Sequence, residues 1–256
     1  MSEQEARSSI QVIDRMTSLL DALALHADPV SLKQLAAQTG LHPSTAHRIL
    51  NVLVKSRVVG RVEPGTYRLG VRLLELGMLV KSRMSIRQEA LPVMQELHQQ
   101  LGETVNLSIR HGDEVVYIER ASSAPQTVRV AQLIGARAPL HVTAAGKVFL
   151  AADGPEKCDE YAKRTGLARC TERSLTDPAS LLKELDDVRA LGYAFDNEEA
   201  EKGVSCAGAG VYGEDASLVA GLSVCAPADC FDKAWALQLK QAAGRISRAL
   251  GCQSPP

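Results

Sequence analysis

The sequence has no apolar run that approaches the roughly 18 residues of a membrane span. Its N-terminus, MSEQEARSSI, is polar and lacks the apolar core and the small-residue cleavage site of a secretory signal. These absences argue against a membrane-anchored or secreted protein, and we expect a cytoplasmic one. The 256 residues, 45% apolar and 23% charged, are ordinary for one or two globular domains.

The six cysteines lack the spacing of a zinc site. None forms a CxxC pair, and no histidine cluster accompanies them. We therefore expect no metal and no cofactor, and thiols that stay reduced and serve mostly as small core side chains. The cysteines are Cys158, Cys170, Cys206, Cys225, Cys230 and Cys252.

Acidic residues are nearly missing from one segment, Ser31–Arg72. It carries seven basic residues against a single Glu63, which gives it a charge of +6. Because the whole chain has a net charge of −1, the remainder carries −7. A basic block on a nearly neutral protein predicts contact with nucleic-acid phosphates, although a solvated charged face would explain the charge alone equally well.

The order of elements around this segment predicts a winged helix-turn-helix. An amphipathic helix over 10–25 precedes a short helix capped by Ser31, a turn at Gly40, and a helix with Pro43 in its first turn. Helix, glycine turn and helix form the DNA-binding signature. A β-hairpin predicted over 58–69 would be the wing. The alternative is an all-helical interaction domain with an incidental hairpin.

Residues 70–82 predict a further helix that is apolar on nearly every side. Such a helix must be buried on every side. We expect it to link two domains, 1–82 and 83–256, and to pack against a partner chain. Burial between the chain's own domains is the alternative.

The second domain mixes strands with helices, which predicts an α+β fold. Helices are expected at 86–101, 144–152, 177–192 and 232–250, strands at 104–109, 114–120, 127–130, 203–211 and 217–227, and a loop at 137–140. The glycines of 208–213 have GxGxxG spacing, but a turn and a strand follow where a dinucleotide site needs a helix.

The segment LKQLAAQTGLHPSTAHRILNVL, followed by YRLG, resembles the winged helix of the isocitrate lyase regulator (IclR) family. GETVNL, PLHVTAAGK, ELDDVRALGYAFDNEE, GVSC and LSVCAP resemble segments of that family's effector domain, in the same order. The resemblance implies a GAF-like effector domain, homodimers and dimers of dimers, and a double-stranded DNA operator. It also implies a small-molecule effector and the control of a catabolic operon.

The second helix of a helix-turn-helix enters the major groove, where its early residues reach base edges. We expect Arg48 to read guanine and the wing arginines to contact phosphate. Capping of the helix is the competing role for Ser44. The predicted DNA-binding residues are His42, Ser44, Thr45, His47, Arg48, Arg61 and Arg68.

A helix start at Thr143 predicts an anion site, because the N–H groups of Ala144 and Ala145 suit a carboxylate. The resemblance adds further effector-binding residues. One of them, Cys225, departs from the family, in which many members have serine at this position. The added residues are Val130, Ala138, Asp196, Val204, Cys206, Ser223 and Cys225.

Two other functions remain open. One is an enzyme acting on a small organic acid, with Cys206 as nucleophile and His141 as base. A metabolic enzyme has no use for a winged helix, which argues against this function. The other is an architectural DNA-binding module with a vestigial sensor domain.

Overall fold

The computed structural model describes residues 3–82, 85–122 and 133–253. The chain divides into two compact units, Met1–Met84 and Ser85–Pro256. The boundary predicted after residue 82 lies two residues from this division. Within the described ranges, no helix combines the length and the apolar character needed to cross a bilayer.

In the first unit, residues 3–82 form a winged helix with four helices and a small antiparallel sheet in the order β1-β3-β2. Its elements are α1 (Glu3–Ala24), β1 (Val30–Ser31), α2 (Leu32–Thr39), α3 (Pro43–Lys55), β2 (Val59–Glu63), β3 (Thr66–Leu69) and α4 (Val71–Ser82).

Local signals define the helix-turn-helix. The Ser31 hydroxyl accepts from the N–H of Gln34, whose side chain accepts in return from the N–H of Ser31, so α2 begins with a capping box. Gly40 ends α2 with a φ of 66°, in the left-handed region that favours glycine. The inward face of α3 is buried and consists of Ala46, Ile49, Leu50 and Leu53.

Within residues 85–122 and 133–253, the second unit is built on an antiparallel sheet of six strands in the order β6-β5-β4-β9-β8-β7. Its helices are α5 (Ser85–Leu101), α6 (Ala144–Asp153), α7 (Pro155–Thr165), α8 (Pro178–Leu191) and α9 (Trp235–Ala249). Its strands are β4 (Thr104–His111), β5 (Glu114–Ala121), β6 (Arg137–Pro139), β7 (Tyr193–Asn197), β8 (Val204–Tyr212) and β9 (Leu218–Pro227).

Each face of this sheet carries its own hydrophobic core. Alternation along β9 sends Leu222 and Val224 into the core shared with α5 and α9. The residues that alternate with them, Ser223 and Cys225, lie on the other face, where α6 packs. The α6 face therefore has small and polar side chains where the opposite face has aliphatic ones.

The prediction of a loop at 137–140 is wrong. Residues 137–139 form the edge strand β6, in which Ala138 pairs with Val115, and Leu140–Val142 form a short 3-10 helix. Proline is tolerated at a sheet edge, so Pro139 does not prevent pairing. Helix α7 and strand β7 were not predicted, and the strand predicted at 127–130 lies outside the described residues, as does Val130.

The first turn of α6 lies directly on the backbone of the sheet. A Cβ on Gly208 of β8 would come within 2.6 Å of the Ala144 carbonyl carbon and the Ala145 nitrogen. A Cβ on Gly221 of β9 would come within 2.7 Å of the Ala145 Cβ. No other residue type fits these two positions without moving the helix.

Candidate functional site

One candidate surface is the exposed side of α3 together with the wing. Most of the predicted DNA-binding side chains are exposed there, and Thr45 is half-buried. The exposed ones are His42, Ser44, His47, Arg48, Arg61 and Arg68.

Two of these residues also stabilise the N-terminus of α3. His42 is the N-cap of α3, and its Nδ1 accepts from the N–H of Ser44 over 3.4 Å. The same nitrogen lies 2.8 Å from the Ser44 Oγ. The N-cap residue of α3 is therefore His42. Ser44, for which capping was the alternative role, is not the cap itself but contacts the capping nitrogen.

The wing is joined to α3 by Arg61. Its guanidinium donates to the Asn51 Oδ1 and lies over the Tyr67 ring, 5.5 Å from the ring centre. The Asn51 Nδ2 lies 3.3 Å from the His47 Nε2. Asn51 was not predicted from the sequence, although it stands one helical turn after His47, on the same side of α3.

Part of the predicted basic block is neutralised within the unit. Glu75 of α4 lies just outside the counted segment and pairs with Arg72 at 2.9 Å and with Arg57 at 3.4 Å. The hydrogen bond from Arg72 is the main reason that the pKa of Glu75 lies below its usual value. The positive charge that faces outward therefore depends on the other basic residues of the segment.

The second candidate site is a small cavity in the other unit, at the start of α6. Every predicted effector residue that the structure describes lines it: Ala138, Ala144, Ala145, Asp196, Val204, Cys206, Ser223 and Cys225. The lining also includes Thr143, the predicted helix start, together with Tyr117, Ala200 and Glu201, which sequence reasoning missed. The cavity encloses about 30 Å³, room for one or two water molecules.

The α6 start supplies backbone donors at the edge of this cavity. The Thr143 hydroxyl accepts from the N–H of Gly146 over 3.2 Å and so caps the helix, as predicted. The N–H groups of Ala144 and Ala145 precede that position, where a helix provides no internal acceptors. These donors and the positive end of the helix dipole favour an anion.

The acidic residue of the cavity is buried. The Asp196 Oδ1 accepts from the N–H groups of Glu199 at 2.7 Å and Ala200 at 3.3 Å. Burial, with a smaller contribution from the charge of Glu199, raises the pKa of Asp196 from 3.8 to about 7. Near neutral pH the side chain is therefore a mixture of the neutral acid and the carboxylate, and the neutral form is able to donate a hydrogen bond.

A fully buried lysine on α6 connects this helix to α8, to β7 and to the segment after β7. The Lys147 ammonium group on α6 donates to the Glu199 Oε1 at 2.6 Å, to the Phe195 carbonyl oxygen at 2.8 Å, and to Glu184 on α8. Removing one partner of such a buried ion cluster leaves an uncompensated charge, which costs about 3–5 kcal/mol. Lys147 thereby fixes the end of β7 and the segment that carries Asp196.

His141 lies in a different environment from the cavity lining. Its Nδ1 lies 2.8 Å from the Tyr161 hydroxyl, and its Nε2 lies 3.1 Å from the Ala168 carbonyl oxygen. Burial also lowers the pKa of His141. Both ring nitrogens are thus engaged away from Cys206, and the pair does not form a nucleophile with its base. No group of three His, Cys, Asp or Glu residues in the described part of the chain is arranged to hold a metal.

Comparison with protein-family models assigns both units. Residues 12–63 match the IclR helix-turn-helix domain, and residues 78–249 match the bacterial transcriptional regulator IclR C-terminal domain. The chain belongs to the IclR family. It is a helix-turn-helix transcriptional regulator, and the predicted α+β fold with an N-terminal winged helix is confirmed.

Curated members of the IclR family match along most of the chain. The regulator KipR of Bacillus subtilis is 34% identical over 90% of this chain and 93% of its own length. The regulator XynR of Escherichia coli is 33% identical over 94% and 98%. The repressor AllR of Escherichia coli is 31% identical over 100% and 96%.

Solved IclR-family structures share the fold. The IclR of Thermotoga maritima superimposes with a TM-score of 0.77 at 31% identity, covering 94% of this chain and 99% of that one. An IclR homologue from Microbacterium hydrocarbonoxydans, complexed with 4-hydroxybenzoate, superimposes with a TM-score of 0.83 at 26% identity, covering 93% and 98%.

The buried acid of this IclR-family chain predicts an unusual dependence of stability on pH. The pKa of Asp196 in the folded state lies above that of the unfolded chain, so its contribution to stability is fully present below pH 4. That contribution is lost as the pH rises through about 7. Asp196→Asn keeps a neutral acceptor for both N–H groups. We expect its melting temperature to fall less than that of the wild type between pH 5 and pH 8.

The matched control is Asp177→Asn, at the exposed N-cap of α8. The pKa of Asp177 is lowered by its bonds to Ser180, so both its folded and unfolded forms are ionised throughout this pH range. Asp177→Asn should change the melting temperature without changing how steeply the melting temperature falls between pH 5 and pH 8. Glu199, whose pKa burial also raises, accounts for residual slope in Asp196→Asn. If the melting temperatures of the wild type and Asp196→Asn fall equally steeply with pH, Asp196 does not have the raised pKa described here.

Proposed function

We propose that this IclR-family regulator binds operator DNA as a homodimer in the cytoplasm and controls a catabolic operon in response to a small organic acid. One observation carries the effector part of the proposal. Residues from β6, α6, β7, β8 and β9, distant in sequence, converge on a single cavity at a helix start. An architectural module with no sensing function would have no need of such a site.

The DNA-binding part is supported by the exposure of α3. Arg48 and His47 point to solvent in its first half, and Arg61 extends this surface onto the wing. We propose that α3 enters the major groove, with Arg48 hydrogen-bonded to a guanine edge. Arg68, exposed on β3, contacts the phosphate backbone.

The dimer is supported by α4. Four of its large apolar side chains are more than half exposed in the single chain, namely Val71, Leu74, Met78 and Leu79. Contiguous exposed apolar surface on a helix marks an interaction site. We propose that the two copies of α4 contribute to the dimer interface. A two-fold dimer reads a pseudo-palindromic operator.

The effector is proposed to be a carboxylate held by the N–H groups of Ala144 and Ala145, with Ser223 as a further hydrogen-bonding partner. Asp196 in its neutral form donates to a ligand oxygen. The cavity as it stands has room for only one or two water molecules, so binding must enlarge it. 2-Oxo acids and aromatic acids both fit these donors, and one structural neighbour binds 4-hydroxybenzoate.

Arg48→Ala tests the DNA-binding part. On a duplex selected by the wild-type protein from random sequences, we expect the variant to lose about 1–3 kcal/mol of binding free energy and specificity at one base position. Fluorescence anisotropy at fixed salt measures both. Lys55→Ala, at the other end of α3, is the control and should weaken selected and random duplexes alike. If Arg48→Ala behaves in the same way as this control, Arg48 contacts only phosphate.

Leu74→Asp and Met78→Asp test the interface. A carboxylate buried between two subunits is costly, so each change should shift the protein from dimer towards monomer in sedimentation velocity. Leu237→Asp on α9 is the matched control, since Leu237 is equally exposed but lies in the other unit. A dimer that persists in both α4 variants would contradict the proposed interface.

Ala144→Leu tests the effector site. The added side chain should fill the cavity and abolish ligand-induced thermal stabilisation across a panel that includes pyruvate and 4-hydroxybenzoate, with DNA affinity unchanged in the absence of ligand. Ala152→Leu, on the exposed side of the same helix, is the control and should respond as the wild type does. A wild type that responds to no acid would favour the architectural module, and an unchanged response in Ala144→Leu would place the site elsewhere.

A further inference from the structure

Two cysteines face each other inside the cavity. Cys206 on β8 and Cys225 on β9 are direct partners in the antiparallel ladder, and both line the cavity. Directly opposite residues project from the same face of a sheet. Both thiols are reduced, and both residues are nearly inaccessible, with relative exposures of 6% and 5%. Their apolar neighbours are Ala144 and Val204.

The ladder brings the pair within reach of a disulfide. Opposite residues on antiparallel strands have Cα atoms about 4.5 or 5.5 Å apart, and both distances lie in the range of about 4.4–6.8 Å found in disulfides. Their Cβ atoms lie about 4.5–5.5 Å apart, and closure needs about 3.8 Å. A shift of roughly 1 Å is therefore required. The resulting bond is strained and easily reduced, as in reversible disulfides.

The size of the cavity selects the oxidant. At about 30 Å³ the cavity as it stands admits a molecule little larger than water, such as hydrogen peroxide. Oxidised glutathione, two linked tripeptides, is much larger than the small organic acids for which the cavity is proposed to enlarge, and it stays outside. The side chain of Asn106 donates to the Cys225 Sγ over 3.7 Å, which orients that sulfur among the lining residues.

We infer that Cys206 and Cys225 form a peroxide-sensitive dithiol inside the effector cavity. One sulfur attacks hydrogen peroxide, the O–O bond breaks, and a sulfenic acid and one water form. The second thiol attacks the sulfenic sulfur, so that an S–S bond replaces the S–O bond and a second water leaves. In total, two thiols lose two electrons and two protons, and one peroxide is reduced to two waters.

Closing the pair also changes the effector site. The disulfide draws β8 and β9 together beneath Ala144 and removes both S–H groups from the lining, so the cavity no longer opens for a carboxylate. This consequence rests on the proposed effector function, whereas formation of the disulfide does not. The two therefore need separate readouts.

Peptide mapping of the full-length protein tests the chemistry. After treatment with hydrogen peroxide and alkylation of the remaining thiols, mass spectrometry should find the Cys206 and Cys225 peptides joined, and dithiothreitol should release them. Oxidised glutathione should modify the exposed Cys170 and Cys230. Cys206 and Cys225 should not react with it, so the later alkylation step should recover both as alkylated thiols. Recovery of Cys206 and Cys225 as alkylated thiols after peroxide, or linked to other cysteines, would overturn the inference.

Cys225→Ser is the matched control, because it retains a small polar side chain but has no sulfur to close the bond. Each protein is compared with its own untreated form. Peroxide should not change the thermal response of Cys225→Ser to an acid, whatever the size of that response, whereas the oxidised wild type should need at least ten times more of an acid that stabilises its reduced form to reach the same shift. If the reduced wild type responds to no acid, the proposed function fails and the peptide map still decides on the dithiol. If the oxidised wild type is joined at this pair yet keeps its response, the link to the effector site is wrong.

Discussion

The structure of the second unit depends on one steric constraint, which is that α6 begins directly on the bare backbone of the sheet. Gly208 and Gly221 provide the two contact points, and neither tolerates a Cβ at its present distance from the helix. Because the helix start is this close, its backbone donors share one cavity with the side chains of β8 and β9. The site is thus a consequence of packing between a helix and two glycines.

The charges around the cavity are arranged on the same scaffold. Lys147 projects from α6 and holds Glu199 and the end of β7, and Asp196 lies at that end, over the cavity. The buried cation is fully compensated, whereas the acid that faces the cavity is close to half neutral near pH 7. The proposed anionic effector would therefore meet helix donors and an acid that is only partly ionised, with less repulsion than a full carboxylate would give.

Sequence reasoning succeeded where structure is determined locally and failed where it depends on distant partners. Ser31, Gly40 and Pro43 define the helix-turn-helix by their own chemistry, and all three act as predicted. The segment 137–139 is a strand only because β5 lies beside it, which local composition does not reveal. Most of the cavity residues came from the family resemblance, and the raised pKa of Asp196 arises from burial that only the folded chain provides.

The most direct test of the central constraint is the melting temperature of Gly208→Ala. One added methyl group must displace either the first turn of α6 or strand β8, so we expect a loss of about 1–3 kcal/mol in stability and a clear fall in melting temperature. Gly77→Ala, where nothing lies within 4 Å of the added Cβ, should be neutral or slightly stabilising. If Gly208→Ala melts at the wild-type temperature, α6 does not rest on the sheet as described.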